Sequence, residues 1–378
     1  MIYLDNAAST AMHPEVIKDM AEKMGEHYAN ASSSHALGRK TKGELENARR
    51  SIAQNLGCLP GEIYFTSGGT ESDNIIIKNA LHLGCQSVIT SKIEHHAVLY
   101  SAEQLEANGI NVKYVDLLPN GHINMKHLAE LLIKNPKSLV SLMHANNEIG
   151  NLIDLELVGN LCRQHDALFH SDTVQTVGLQ KFNLANTPVD FIVGSAHKFN
   201  GPKGIGFLYK RNGLALKNIT HGGTQEKGLR CGTENIISIL GMAKALEIAT
   251  ANLEKKQALL RDLQQTMARE LRNNISGIKF NGDLEGQSNP SILSVAFPKT
   301  EIDSMMLFNL DLAGICASAG SACHSGSNIG SHVIAAIGSQ TEGQNIRFSF
   351  GIFNTKEEII EASTKIVELI NGACVKAL

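Results

Sequence analysis

The chain has 378 residues, 43% of them hydrophobic, with a net charge of -3 and a pI near 6.6. That balance argues against a basic nucleic-acid face or a basic membrane anchor, and the lack of Trp argues against base stacking. No apolar run approaches the roughly 18 residues of a membrane span, so no membrane partner is expected.

The length predicts one large and one small domain. Met1–Asn6 lacks the basic and apolar regions of a signal peptide. The cysteines (58, 85, 162, 231, 316, 323 and 374) are odd in number, irregularly spaced and without a C-x-x-C pair. A cytoplasmic chain with reduced thiols is expected.

Along the chain, Leu45, Ala48, Ile52 and Leu56 fall at helical spacing, and Gly57 follows as a helix stop. Glu62–Thr66 reads as a strand, and Ser67-Gly68-Gly69 leads into a helix near Thr70. Further strands are predicted at Ser87–Thr90, Asn111–Val115, Leu139–Met143, Ala167–His170, Asp190–Gly194 and Ile205–Tyr209. Helical stretches separate several of them, which predicts the α/β class and a mostly parallel sheet covered on both faces. From about Asn252 the texture changes. A charged amphipathic helix is expected over Leu253–Arg272, then strands at Ser291–Phe297 and Ile346–Phe350. Helices are expected near Asp303–Leu310 and Lys356–Ile370, completing a smaller α+β domain.

The segment Ser195-Ala196-His197-Lys198-Phe199-Asn200-Gly201 follows a predicted strand end. A lysine amine forms Schiff bases with aldehyde cofactors. The hydroxyl, imidazole and small residues beside it suit a phosphate held against the backbone. A surface lysine in a turn has the same local pattern. In Phe169–Gln175, Asp172 at a strand's C-terminal end points into the ligand crevice of an α/β sheet. A carboxylate there keeps a pyridinium nitrogen protonated, and Gln175 would donate to the ring's phenolate oxygen. An isolated Asp at such a place is equally a helix cap.

Gly69 and Thr70 open a helix whose first N–H groups can face an anion. The motif is neither G-x-G-x-x-G nor a Walker loop, so nucleotide binding is not supported, and a plain strand-to-helix turn is the alternative. His95 and His96 follow a strand into the same crevice. They have no Cys, Asp or Glu at metal-ligand spacing, so no intrinsic metal is expected.

Taken in order, these segments resemble the cysteine desulfurases of the NifS/IscS type in the class V aminotransferase superfamily. The resemblance rests on Thr66–Ser72, Glu94–Val98, His144–Gly150, Asp172-x-x-Gln175, Ser195–Lys198 and Arg230–Asn235. Ala319–Cys323 and Ile346–Gly351 extend it, and it runs from Leu4–Ala8 to the last helix. It implies the type I pyridoxal-phosphate fold. The large domain, near residues 15–255, would carry a mostly parallel seven-stranded sheet. Residues 1–14 and 256–378 would form the small domain.

By the same resemblance, Lys198 would hold pyridoxal phosphate, His95 would stack on the ring and join Lys198 and Cys323 in catalysis, where it or His197 would manage thiol protons, and Asp172 and Gln175 would pair with the ring's nitrogen and oxygen. Gly69, Thr70, Ser195 and His197 would surround the phosphate, and Thr233 would reach the phosphate in the other subunit of a homodimer. Asn147, which would also contact the cofactor, and Arg347 would hold the substrate carboxylate, Arg through its bidentate fork. Cys323 would take sulfur from L-cysteine as a persulfide and pass it to an acceptor, either an iron–sulfur scaffold or a thiolation protein. It would also be the one transient iron–sulfur ligand. Selenocysteine cleavage or another class V transferase reaction is the alternative.

Cys323 lies in Ala317–Gly330, a run of small and polar residues expected to bury poorly and move. A thiol there is accessible as a thiolate. His324, where relatives commonly carry Thr or Ser, would lower its pKa. Cys231 stands where Ala or Ser is usual, and Ala31 where Pro is usual in the Asn30–Ser33 segment.

Overall fold

The computed structural model describes residues 1–319, 330–338 and 343–375. Twelve strands are found among them: β1 (Ile2–Tyr3), β2 (Ile63–Thr66), β3 (Ser87–Ser91), β4 (Asn111–Val115), β5 (Ser138–Ser141), β6 (Leu168–Asp172), β7 (Phe191–Ser195), β8 (Gly206–Lys210), β9 (Lys279–Asn281), β10 (Ile292–Ala296), β11 (Ile315–Cys316) and β12 (Asn345–Ser349).

Seven of them form one sheet in the order β2-β8-β7-β6-β5-β3-β4. β3 to β7 run parallel, and β8 is antiparallel to both β7 and β2. β2 therefore points the same way as β7. β3, β5 and β7 are buried along their whole length. That is why they read as short, nearly continuous β-prone runs and not as an alternation. Large apolar clusters lie against the sheet, one around Ile52, Phe169, Phe199 and Leu246, another around Ile76, Val98 and Leu208.

The helix Ala36–Leu56 stops where Gly57 turns into the left-handed region at φ 66°, as its sequence predicts. It packs against Ile236–Ala251, which is apolar on most sides because it is largely buried. The amphipathic helix Leu253–Asn274 packs on Lys356–Val375. A third cluster, around Leu263, Phe297 and Phe348, fills the space between these helices and the antiparallel sheet β12-β10-β9. The N-terminal residues join it. β1 pairs with β11, Leu4 is fully buried there, and Asp5 bridges to Ser349. No single helix among the described residues is long and apolar enough to cross a membrane.

Two strand ends differ from expectation by more than one residue. The strand expected to reach Met143 stops at Ser141. The Met143 N–H goes to the Glu94 carboxyl at 2.9 Å, so the chain leaves the ladder there. β6 runs on to Asp172, which pairs with Val193.

Candidate active site

Every predicted site segment of the sheet leaves the same edge. β2, β3, β5, β6 and β7 end there and carry respectively Gly69 and Thr70, His95, Asn147, Asp172 with Gln175, and Ser195 to Lys198. This is the carboxyl edge, where open α/β sheets bind ligands. The residues meet in a cavity of about 460 Å3. Gly69, Thr70, His95, Asn147, Asp172, Gln175, Ser195, His197, Lys198 and Arg347 all line it. Thr233 is exposed and is not among the lining residues. Cys323 and His324 lie outside the described residues.

Lys198 closes a single 3-10 turn, Ala196–Lys198, immediately after β7. Its Nζ donates to the carbonyls of Ala7 and Ala8, the latter at 3.0 Å. Gln175 Nε2 also donates to Ala7 O, at 3.0 Å. The N-terminal segment is tied down further by Thr10 Oγ1, which donates to His197 O, and by a Ser9 Oγ–His197 Nδ1 contact of 3.3 Å.

Asp172 is 6% exposed, and its Oδ1 accepts the Val174 N–H at 2.9 Å. Burial lifts its carboxyl to about 6, against the pull of that N–H and of Lys198. His95 caps the helix His96–Ala107. Its Nδ1 accepts the Ala97 N–H at 3.1 Å, which fixes the ring and leaves the proton on Nε2. Burial, then Lys198 and His332, lowers its pKa to about 4, so the ring is neutral at physiological pH. Burial, Lys198 and Lys203 likewise bring His197 to about 4.

Arg347 on β12 is 3% exposed. Nη2 donates to Asp5 Oδ1 and Nη1 to Asn147 O, both at 2.9 Å. Nε is buried and has no partner, an orphaned donor in a residue that lines the cavity.

Glu94 holds this edge together. It is fully buried, and its Oε1 and Oε2 meet Ser91 Oγ at 2.6 Å and Met143 N at 2.9 Å. Burial raises it from 4.5 to about 8. The unfolded chain ionises this group near 4.5 and the fold only near 8. Wild-type stability is therefore complete below the lower value and is lost as pH rises to the upper one, by roughly 1.4 kcal/mol per pH unit. Glu94→Gln is expected to lack that slope. Its melting temperature relative to wild type rises between about pH 4.5 and about pH 8, a difference that thermal melts across this window measure.

Sequence reasoning missed Asp5, the Ala7–Ala8 carbonyl cradle, Asp73 and the bracing role of Glu94. The signal for the first two was present, since Leu4–Ala8 opens the resemblance, but their partners lie more than a hundred residues away.

The residues fit pyridoxal phosphate. The helix Gly69–Lys78 starts without a side-chain cap, so its first N–H groups are left for an anion. Gly68 sits at φ 156°, and a Cβ on Gly69 would meet Val174 Cγ2 at 2.6 Å, so both positions demand glycine. A primary amine, a buried carboxylate opposite it and a neutral imidazole complete a site for a ring aldehyde. Together they suit a pyridoxal-phosphate enzyme.

Residues 2–361 match the family described as aminotransferase class-V, and the chain belongs to that family. Among its relatives is the cysteine desulfurase IscS of Dictyoglomus turgidum, 40% identical over 97% of this chain and 94% of the relative. A solved NifS-like protein is 35% identical and superposes with a TM-score of 0.91 over 98% of this chain and 99% of its own. The structure titled SspA in complex with cysteine is 32% identical, with a TM-score of 0.80 over 94% of this chain and 100% of that one.

Proposed function

We propose that this chain is a cysteine desulfurase that converts L-cysteine to L-alanine and leaves the sulfur as a persulfide on Cys323. The observation that carries the reading is the convergence of Lys198, Asp172, His95 and Arg347 on one cavity that no described cysteine lines. Cys58, Cys85 and Cys162 are further disqualified, because burial pushes each thiol up to about 12. Ser318, five residues before Cys323, is hydrogen-bonded to the backbone of Arg347 in both directions, at 2.7 and 3.2 Å. The chain thus enters the Cys323 segment beside a cavity residue.

Pyridoxal phosphate, when bound, draws electron density from the substrate's Cα. Lys198 would hold it, Gly69, Thr70, Ser195 and His197 would take its phosphate, and Asp172, Gln175 and His95 its ring. Arg347 binds the cysteine carboxylate through its unpartnered Nε and a remaining Nη hydrogen, beside Asn147. Lys198 Nζ takes the Cα proton. The Cys323 thiolate attacks the substrate sulfur, so an S–S bond forms as the C–S bond breaks. The electron pair of the broken bond stays on carbon, Cβ takes a proton, and Lys198 returns the proton to Cα, which yields alanine.

Arg347→Lys keeps the charge but loses the fork, so KM for cysteine is expected to rise roughly 10- to 100-fold. Alanine formation against cysteine concentration measures it, and an unchanged KM would remove Arg347 from substrate binding.

Residues 15–255 form the large domain, and 1–14 with 256–378 the small one, a division favoured by the separate core around Leu263 and Phe348 that takes in Leu4. Thr233, exposed here, serves the partner's phosphate in a homodimer. The sulfur goes to an acceptor protein of iron–sulfur assembly or thiolation in the cytoplasm.

A further inference from the structure

Beneath the cavity lies a buried polar chain that no step above uses. His170 and Asp172 are two residues apart on β6, so both leave the same face of the sheet, toward the helix that carries Asp73. Asp73 is 1% exposed and His170 fully buried. Asp73 Oδ1 stands 3.3 Å from His170 Nε2, out of hydrogen-bond alignment, and both atoms are buried without a hydrogen-bond partner. His170 Nδ1 meets Ser141 Oγ on β5 at 2.9 Å. The Asp73 carboxyl also lines the cavity. There one of its oxygens, one oxygen of Asp172 and a ring nitrogen of His95 lie within 4.8 Å of one another.

Two buried carboxylates so close cannot both ionise. Their surroundings decide which does. Asp172 takes the Val174 N–H and feels Lys198. The charged groups acting on Asp73 are Asp172 from β6 and Glu94 from the turn after β3, both acidic.

We propose that the cluster Asp73–His170–Ser141 holds Asp73 as a neutral carboxylic acid, its O–H turned toward His170 Nε2, so that the buried negative charge at this end of the cavity rests on Asp172 alone. With Nε2 unprotonated, His170 carries its proton on Nδ1 and donates it to Ser141 Oγ. Burial, reinforced by Asp172 and Glu94, lifts Asp73 well above the usual carboxylate range, and burial brings His170 down to about 3. Both directions put the proton on oxygen and leave the imidazole neutral. An ionised Asp73 would instead compete with Asp172 for the cofactor's ring proton. Asp73 is thus a positioning residue that acts through Asp172, and its functional meaning rests on the pyridoxal-phosphate reading.

The test is infrared difference spectroscopy on the holoenzyme with its aspartate carboxyls isotopically labelled, which separates aspartate from Glu94. Above about pH 7, where Asp172 has ionised, wild type is expected to retain the carbonyl stretch of a protonated aspartic acid. Asp73→Asn loses that band. His170→Phe, which removes the proton acceptor, moves it to higher frequency. A wild type without the band overturns the proposal, and so does a band that survives Asp73→Asn or stays in place in His170→Phe. The band does not depend on turnover. A holoenzyme that shows it but makes no alanine from cysteine would sink the desulfurase reading alone.

Discussion

Lys198→Ala is expected to lower cysteine turnover about 10,000-fold or more, and to abolish the visible absorbance of lysine-bound cofactor. Two losses combine. The amine that bonds the cofactor is gone, and so is the base that moves the Cα proton, a role worth about 100- to 10,000-fold by itself. The fold is expected to survive. Nζ donates to the carbonyls of Ala7 and Ala8, and the rest of that segment stays held by Thr10, Ser9 and the β1–β11 pairing. Absorbance and a thermal melt on the same sample separate a chemical defect from an unfolded protein. Turnover near the wild-type rate would mean that another group does the chemistry.

Asp172→Asn is expected to lower kcat on the order of 100- to 1000-fold, the scale of losing one preorganised electrostatic contact. Asparagine keeps the shape, and its Oδ1 can still accept the Val174 N–H. It cannot supply the charge that keeps the ring nitrogen protonated. The side chain sits in a site where burial already makes ionisation costly, so the exchange is expected to spare or raise stability. Steady-state rates with a denaturation curve check both halves. A variant with wild-type kcat would show that the ring nitrogen needs no anionic partner.

Much of this site was legible because its chemistry is local. Lys198 sits three residues after a serine that ends a strand, and Asp172 ends another. Both positions follow from strand patterns and the rule that α/β sheets bind at their carboxyl edge. The Gly68-Gly69 turn was legible because few other residues tolerate that backbone. What escaped depends on long-range pairing. Asp5 matters through Arg347, which is 342 residues away along the chain, and only the β1–β11 and Asp5–Ser349 contacts bring them together. Asp73 looks like an ordinary polar residue on a helix until β6 places His170 against it. His95 was read as a ring-stacking residue, but its capping of the next helix was not, because histidine is outside the usual capping set. The Leu139–Met143 run looked like one strand, since nothing local reveals that Glu94 captures the Met143 N–H.

The central claim is that sulfur leaves cysteine through Lys198 and lands on Cys323. The direct test measures alanine and sulfide released from L-cysteine with a reductant present, for wild type, Lys198→Ala and Cys323→Ala. Wild type is expected to release both in equal amounts, and Lys198→Ala neither. Cys323→Ala should keep the absorbance of bound cofactor and lose the sulfide. Sulfide release by Cys323→Ala at the wild-type rate would contradict the persulfide route and leave another reaction of this family in its place.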